Sequence, residues 1–218
     1  MSYLLSHPGD LLALLGQHLG MTGLALAIAI FLAVPLALLV ARLPWLNIPI
    51  LGSLGVLYTI PSLALMIFLV PIFGLNATSV IVAMVLYAQV ILVRHLSVGL
   101  AGLDPDVMAA ARAMGMNLWQ RWWWVQVPLV LPVFLAGVRL ATIVAIAIAT
   151  IGAKFNAGGL GKLLFDGLQT NRYDKIVAGA IAVAALALAM NGLLLWLEQL
   201  CPGPGRRKSA PGPPEPLG

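Results

Sequence analysis

Charge is scarce in this chain. Only 9% of its 218 residues are charged, while 61% are hydrophobic; ordinary soluble domains carry roughly 25% charged residues. Mean hydropathy is +1.03. A soluble domain of this length needs far more polar surface, so lipid is the solvent for most of the chain. Cysteine is nearly absent too. Cys201 stands alone, which excludes a disulfide within the chain. The three histidines, His7, His18 and His95, are scattered without carboxylates at ligand spacing, so no metal centre is expected. No nucleophile–base pair stands out, and no catalytic residue is assigned.

Two further absences narrow the function. A P-loop needs G-x-x-x-x-G-K-[ST] between a strand and a helix. The nearest approach, Gly161-Lys162, is followed by Leu163, and Asn156 stands where the first glycine belongs. The chain therefore has no nucleotide site of its own, no cofactor is expected in it, and ATP-driven work needs a partner. Paired acidic residues near the membrane midplane, which an ion-coupled secondary transporter would want, are also missing. All seven carboxylates fall at span ends, in loops or in the tail. The same lack of polar groups within the apolar runs argues against a membrane-embedded enzyme.

What is present are long uncharged runs. Asp10 to Arg42 contains no charge between its ends, and its most apolar part is Thr22 to Val40. At about 1.5 Å per residue, that part covers most of a bilayer core of about 30 Å. No Lys or Arg precedes the run and it is too long for a signal h-region, so it reads as a retained span. Leu43 to Val93 is uncharged and about twice too long for one span; "PIFGLN", Pro71 to Asn76, supplies the turn. The expected spans are about 22–41, 50–73, 77–93, 129–152 and 176–197. That is an all-α membrane protein with five transmembrane helices in one domain, residues 1–201. The remaining residues 202–218, "PGPGRRKSAPGPPEPLG", are expected to be a disordered tail.

The net charge of +5 reads as topology rather than as a nucleic-acid footprint. With the N-terminus outside, the cytoplasmic side receives Arg42, Arg94, Arg112, Arg121, Arg206, Arg207 and Lys208. The outer side receives Lys154, Lys162, Arg172 and Lys175. The bias favours a multi-pass inner-membrane protein with its N-terminus outside and its C-terminus in the cytoplasm.

Between spans three and four lies a cytoplasmic segment, residues 104–128. Asp104 and Pro105 form a helix start, and Asp106 adds negative charge at the positive end of the helix. Ala109, Ala110 and Ala111 favour helix, and Gly115 is a natural C-terminal cap. A second helix follows, capped by Asn117 with Gln120 three residues on. Trp119, Trp122 and Trp123 then fall on one face, suited to the lipid–water interface. The first helix is too short and too charged to span, and its small alanines make a smooth knob for another protein's groove.

These residues resemble the cytoplasmic motif of permeases of ATP-binding-cassette importers: E-A-A, three residues, G, nine residues, then I-x-L-P. Ala109-Ala110-Ala111 stands in the E-A-A place, Gly115 and then Met116 follow, and Val125-Gln126-Val127-Pro128 closes the pattern. Ala109 occupies the glutamate position. "YTIPSLAL", "DPDVMAAARAMGM", "VPLVLPVFLAGVRLAT" and "AGGLGKLLFDGL" look like the osmoprotectant branch (glycine betaine, carnitine, choline), although Lys154 and Phe155 stand where small or apolar residues are usual. The resemblance implies a type I importer permease fold with a coupling helix between the third and fourth spans. It implies an ATPase partner touching Asp106, Ala109, Ala110, Ala111, Gly115 and Met116, with ATP bound by that subunit. It also implies a separate extracytoplasmic binding protein, and a second permease subunit, identical or not, in the lipid membrane. A permease for another small solute, such as an amino acid or sulfonate, is the alternative.

Pathway or gate candidates are Tyr58, Arg139, Gly158, Gly159 and Gly161. Tyr58, with Phe68 and Tyr87, offers aromatic faces that suit a quaternary ammonium. Arg139 lies inside the fourth span, where it reads either as a pathway residue or as a structural arginine bonded to carbonyls of neighbouring helices. Asn191 reads as a helix–helix hydrogen bond. The glycines begin a segment that reads as an outer gate, a binding-protein platform or a plain loop.

Overall fold

The computed structural model describes residues 8–201. The tail at 202–218, its Arg206-Arg207-Lys208 cluster and His7 lie outside the described residues. Among those described there is no strand. The long helices are α1 (Pro8–Arg42), α4 (Ala77–Ala101), α7 (Val127–Gly152) and α9 (Tyr173–Leu200). Between them come α2 (Asn47–Thr59), α3 (Ser62–Phe73), α5 (Pro105–Ala113), α6 (Leu118–Arg121) and α8 (Gly161–Gln169). Among the described residues, four helical stretches are long and apolar enough to cross a membrane: Pro8–Arg42, Ala77–Ala101, Leu118–Phe155 and Tyr173–Leu200.

The interval expected as one span, residues 50 to 73, is α2 and α3 joined at a bend of 97°. Pro61 starts the break: it has no amide hydrogen to donate and holds the residue before it extended. Ile60 accordingly has φ −67° and ψ 127°. The Ile60 carbonyl, freed at the break, accepts a hydrogen bond from the Tyr87 hydroxyl on α4. If the bent pair counts as one span, the number of spans is five.

α4 is the centre of the bundle, packed between α1 and α7 and also touching α2 and α3. Its buried residues run from Ser79 to Leu96 and point to several sides, as a helix enclosed by neighbours requires. α1 meets it through Ala25, Ala29, Ala33 and Ala37, all nearly inaccessible. Four-residue spacing places these small side chains in one row, which lets two backbones approach closely where lipid gives no hydrophobic drive. Gln89 of α4 reinforces the contact by donating to the Ala29 carbonyl at 2.9 Å.

α1 also starts earlier than residue 22. Its N-terminal portion is covered rather than free: Leu11, Leu14 and Leu15 pack on a small cluster of Ile146, Leu160 and Leu186. An apolar stripe with no proline before Pro35 continues the helix beyond the bilayer's needs, because the fold supplies a second surface for it.

Candidate functional site

The segment between α4 and α7 is built by local rules. The Asp104 side chain accepts the Asp106 amide at 2.8 Å and Pro105 opens α5. At the other end, the Met116 amide bonds the Ala111 carbonyl at 3.2 Å and the Gly115 amide bonds the Arg112 carbonyl at 2.9 Å. These two bonds form a Schellman closure, which needs a left-handed residue. Gly115 supplies it with φ 78°. Asn117 and Gln120 then form a reciprocal capping box at 2.8 and 2.9 Å. The chain thus stops one helix and starts another within four residues.

α5 is divided by face. Ala111 is its buried residue, 1% exposed, and Met108 beside it receives the Gln126 amide at 3.9 Å. Asp106, Val107, Ala109, Ala110 and Met114 are all exposed, Met114 to 69%. The outward surface is therefore mostly small and apolar, acidic at its start and basic at the exposed Arg112 of its last turn. After α6 the backbone widens into a π-helical turn, Trp122–Gln126, before α7 begins. Such turns re-aim side chains. Here Trp119 and Trp123 make an edge contact at 5.7 Å, while Trp122 turns towards the protein and is half-buried.

The candidate pathway residues do not form one cluster. Tyr58 lies on α2, 42% exposed, with its ring 5.4 Å from that of Tyr87. Arg139 turns to α9, where its Nη1 donates to Asn191 Oδ1 at 3.4 Å and its Nε lies 3.2 Å from Glu198 Oε2. The second contact is an ion pair rather than an aligned hydrogen bond. Its partners are thus side chains of one helix, not the carbonyls of several. Asn191 and Glu198 are seven residues apart, so both fall on the same face of α9.

Gly158, Gly159 and Gly161 dock the loop after α7. The Gly159 amide donates to Gln17 Oε1 of α1 at 3.0 Å. A methyl group on Gly161 would fall 2.0 Å from the Thr150 carbonyl oxygen. Lys154 and Phe155 have a local use here: Phe155 is buried, and the Lys154 ammonium sits 5.0 Å from the Phe165 ring centre, a cation–π contact. Sequence reasoning missed Gln17, Gln89 and the Ile60 carbonyl, because each acts on a partner remote along the chain.

The family described as "Binding-protein-dependent transport system inner membrane component" matches residues 19–200. The chain belongs to that family. It is a permease subunit of an ABC importer, a multi-pass membrane protein serving transport. Its similarity extends to the osmoprotectant import permease protein OsmW of Salmonella typhimurium, 37% identical over 90% of this chain and 94% of the relative. The carnitine transport permease protein OpuCB of Listeria monocytogenes is also 37% identical, over 87% of each chain. Among solved structures, an inward-facing MetNI methionine ABC transporter matches with a TM-score of 0.76 at 18% identity, covering 90% of this chain and 98% of that one. That likeness shows the fold.

Proposed function

We propose that this permease imports a quaternary-ammonium osmoprotectant across the inner membrane, driven by ATP that a separate subunit binds and hydrolyses. The observation that carries the coupling part is α5: a nine-residue helix fixed at both ends, with its small outward face uncovered. An ATPase groove closing on that face moves α5, and the capping box and π-helical turn carry the motion into α7. Asp106, Ala109, Ala110 and Gly115 meet the ATPase. Ala111 and Met116 hold the knob to the permease, since Ala111 faces inward.

The substrate class draws on the names of the relatives, which include osmoprotectant, carnitine and glycine betaine/carnitine/choline permeases. At the α2–α3 break, Tyr58, exposed beside the buried Tyr87, offers an aromatic face to a cation. A second permease subunit completes the pathway, and an extracytoplasmic binding protein delivers substrate to the outer face, which includes the 156–161 loop and α8. The N-terminus is outside and the C-terminus cytoplasmic, as the basic residues prefer.

The test is uptake of labelled glycine betaine and of a control amino acid by cells expressing the whole importer. Ala110→Arg should abolish uptake and ATPase co-purification while membrane insertion is kept, because Ala110 is exposed and its replacement spares the permease's own packing. Wild-type uptake by that variant would remove α5 as the coupling element. Uptake of the amino acid alone would remove the substrate assignment and leave the coupling intact.

A further inference from the structure

Two cavities meet beside the tryptophans. The larger, about 580 Å³, is lined by Arg42 at the end of α1, Arg121 of α6, Trp119 and Trp122, with Leu100 from the end of α4 and Leu103 just beyond it. Its lining holds two guanidinium groups and no carboxylate. Neither Arg42 nor Arg121 has an ion pair among the described residues. The smaller, about 360 Å³, is wholly apolar apart from indole, and includes Val127, Val130, Leu131 and Phe134. Leu38 and Trp122 line both. The π-helical turn is what brings Trp122 to this shared wall.

We infer that the joined cavities hold one anionic phospholipid, its phosphate between Arg42 and Arg121 and an acyl chain in the apolar compartment. Charge complementarity selects the headgroup: two unpaired cations with no acid near them favour a net negative lipid over a zwitterionic one, whose own ammonium they repel. Depth agrees. The cavity joins the ends of two spans, where headgroups sit, and Trp119, Trp123 and Trp124 around it are exposed aromatic residues of the interfacial kind. A free anion would use the arginines but leave the connected apolar compartment without purpose. The site lies between α1, α4 and the turn that joins α6 to α7, so the lipid wedges the same segment that carries α5. Which leaflet supplies it follows from the proposed orientation; the required charge does not.

The experiment is native mass spectrometry of the full chain in mild detergent with phosphatidylglycerol or phosphatidylcholine. Phosphatidylglycerol should remain bound and phosphatidylcholine should not. Arg42→Gln with Arg121→Gln should lower retention about thirty-fold, the factor expected for two basic residues at an anionic surface. Arg94→Gln, exposed on α4 and outside the cavity lining, should leave it unchanged. If the double variant does not fold, Leu131→Trp must still lower retention by filling the apolar compartment with both arginines in place. Equal retention of the two lipids, or indifference to all these changes, overturns the proposal. Competition by inorganic phosphate overturns it in favour of a free-anion site. A photo-crosslinker at Leu118 that captures the ATPase and no lipid in the assembled importer gives the cavity to protein instead.

Discussion

Glycine serves opposite purposes at the two faces of this permease. Just after α5, a side chain on Gly115 would meet nothing within 4 Å, yet its φ of 78° is one that other residues enter at a cost. Beyond the other end of α7, Gly161 opens α8 and has no room at all, with the Thr150 carbonyl 2.0 Å from where a Cβ would lie. One position is fixed by backbone conformation in open space, the other by crowding. The α5 knob is thus free to be covered by a partner, whereas the 156–161 loop is already part of the permease's own packing.

The largest effect should therefore come from Gly161→Ala. The added methyl cannot be absorbed by a flexible side chain, since the obstacle is backbone, so the loop must leave its seat on α7. A loss of about 3 kcal/mol, the upper end for overpacking, should appear as a large fall in folded protein by size-exclusion chromatography in detergent. A variant as stable as the wild type would show that the 156–161 loop is not fixed by this contact.

Next in size is Gly115→Val. Space is available, so only the left-handed backbone resists, at about 1–2 kcal/mol. The variant should insert and fold while α5 loses its closure and uptake falls severalfold. Gly115→Asn, which tolerates this conformation better, should recover much of the uptake. If Asn does no better than Val, the constraint at 115 belongs to the partner's groove rather than to the backbone.

How far the sequence reveals the molecule follows the same division. Asp104-Pro105, Gly115 and Asn117 with Gln120 were legible because each acts on an amide or carbonyl within five residues. The resemblance to the permease motif rests on that stretch. The break at Ile60–Pro61 carried a visible proline, but a proline in a span is compatible with a mild kink, and the 97° bend depends on how α2 and α3 pack on α4. The central position of α4 and the π-helical turn were not legible: hydropathy is similar in a helix facing lipid and in one enclosed by helices. Arg139 was visible as an anomaly, yet its partners Asn191 and Glu198 lie on another helix.

Arg139 gives a smaller, sharper test, because it binds the last span to the core rather than to either face. The pair is about one-third exposed, and interhelical polar contacts of this kind are worth about 1 kcal/mol. Arg139→Met and Glu198→Met should each lower the midpoint of thermal unfolding by a few degrees. The double variant should lose less than the sum, the mark of direct coupling. Additive losses would mean that the two side chains do not act on each other, and the pathway reading of Arg139 would gain.

The smallest effect on stability, and the most direct on coupling, belongs to Ala109→Glu. This change restores the acid that the family motif carries. Ala109 is exposed on α5, so the substitution should shift permease stability by no more than about 0.5 kcal/mol. Its effect should appear only with the ATPase bound. Asp106 lies three residues earlier, close enough on the same helix to share that role or to repel a second acid. If Asp106 has taken over the polar contact, Ala109→Glu alone should weaken ATPase binding slightly, and Ala109→Glu with Asp106→Ala should restore it. If the contact is simply absent in this chain, Ala109→Glu should strengthen binding whether or not Asp106 is present. ATPase co-purification across the four combinations separates the two outcomes, and with them decides whether the smooth alanine face works alone.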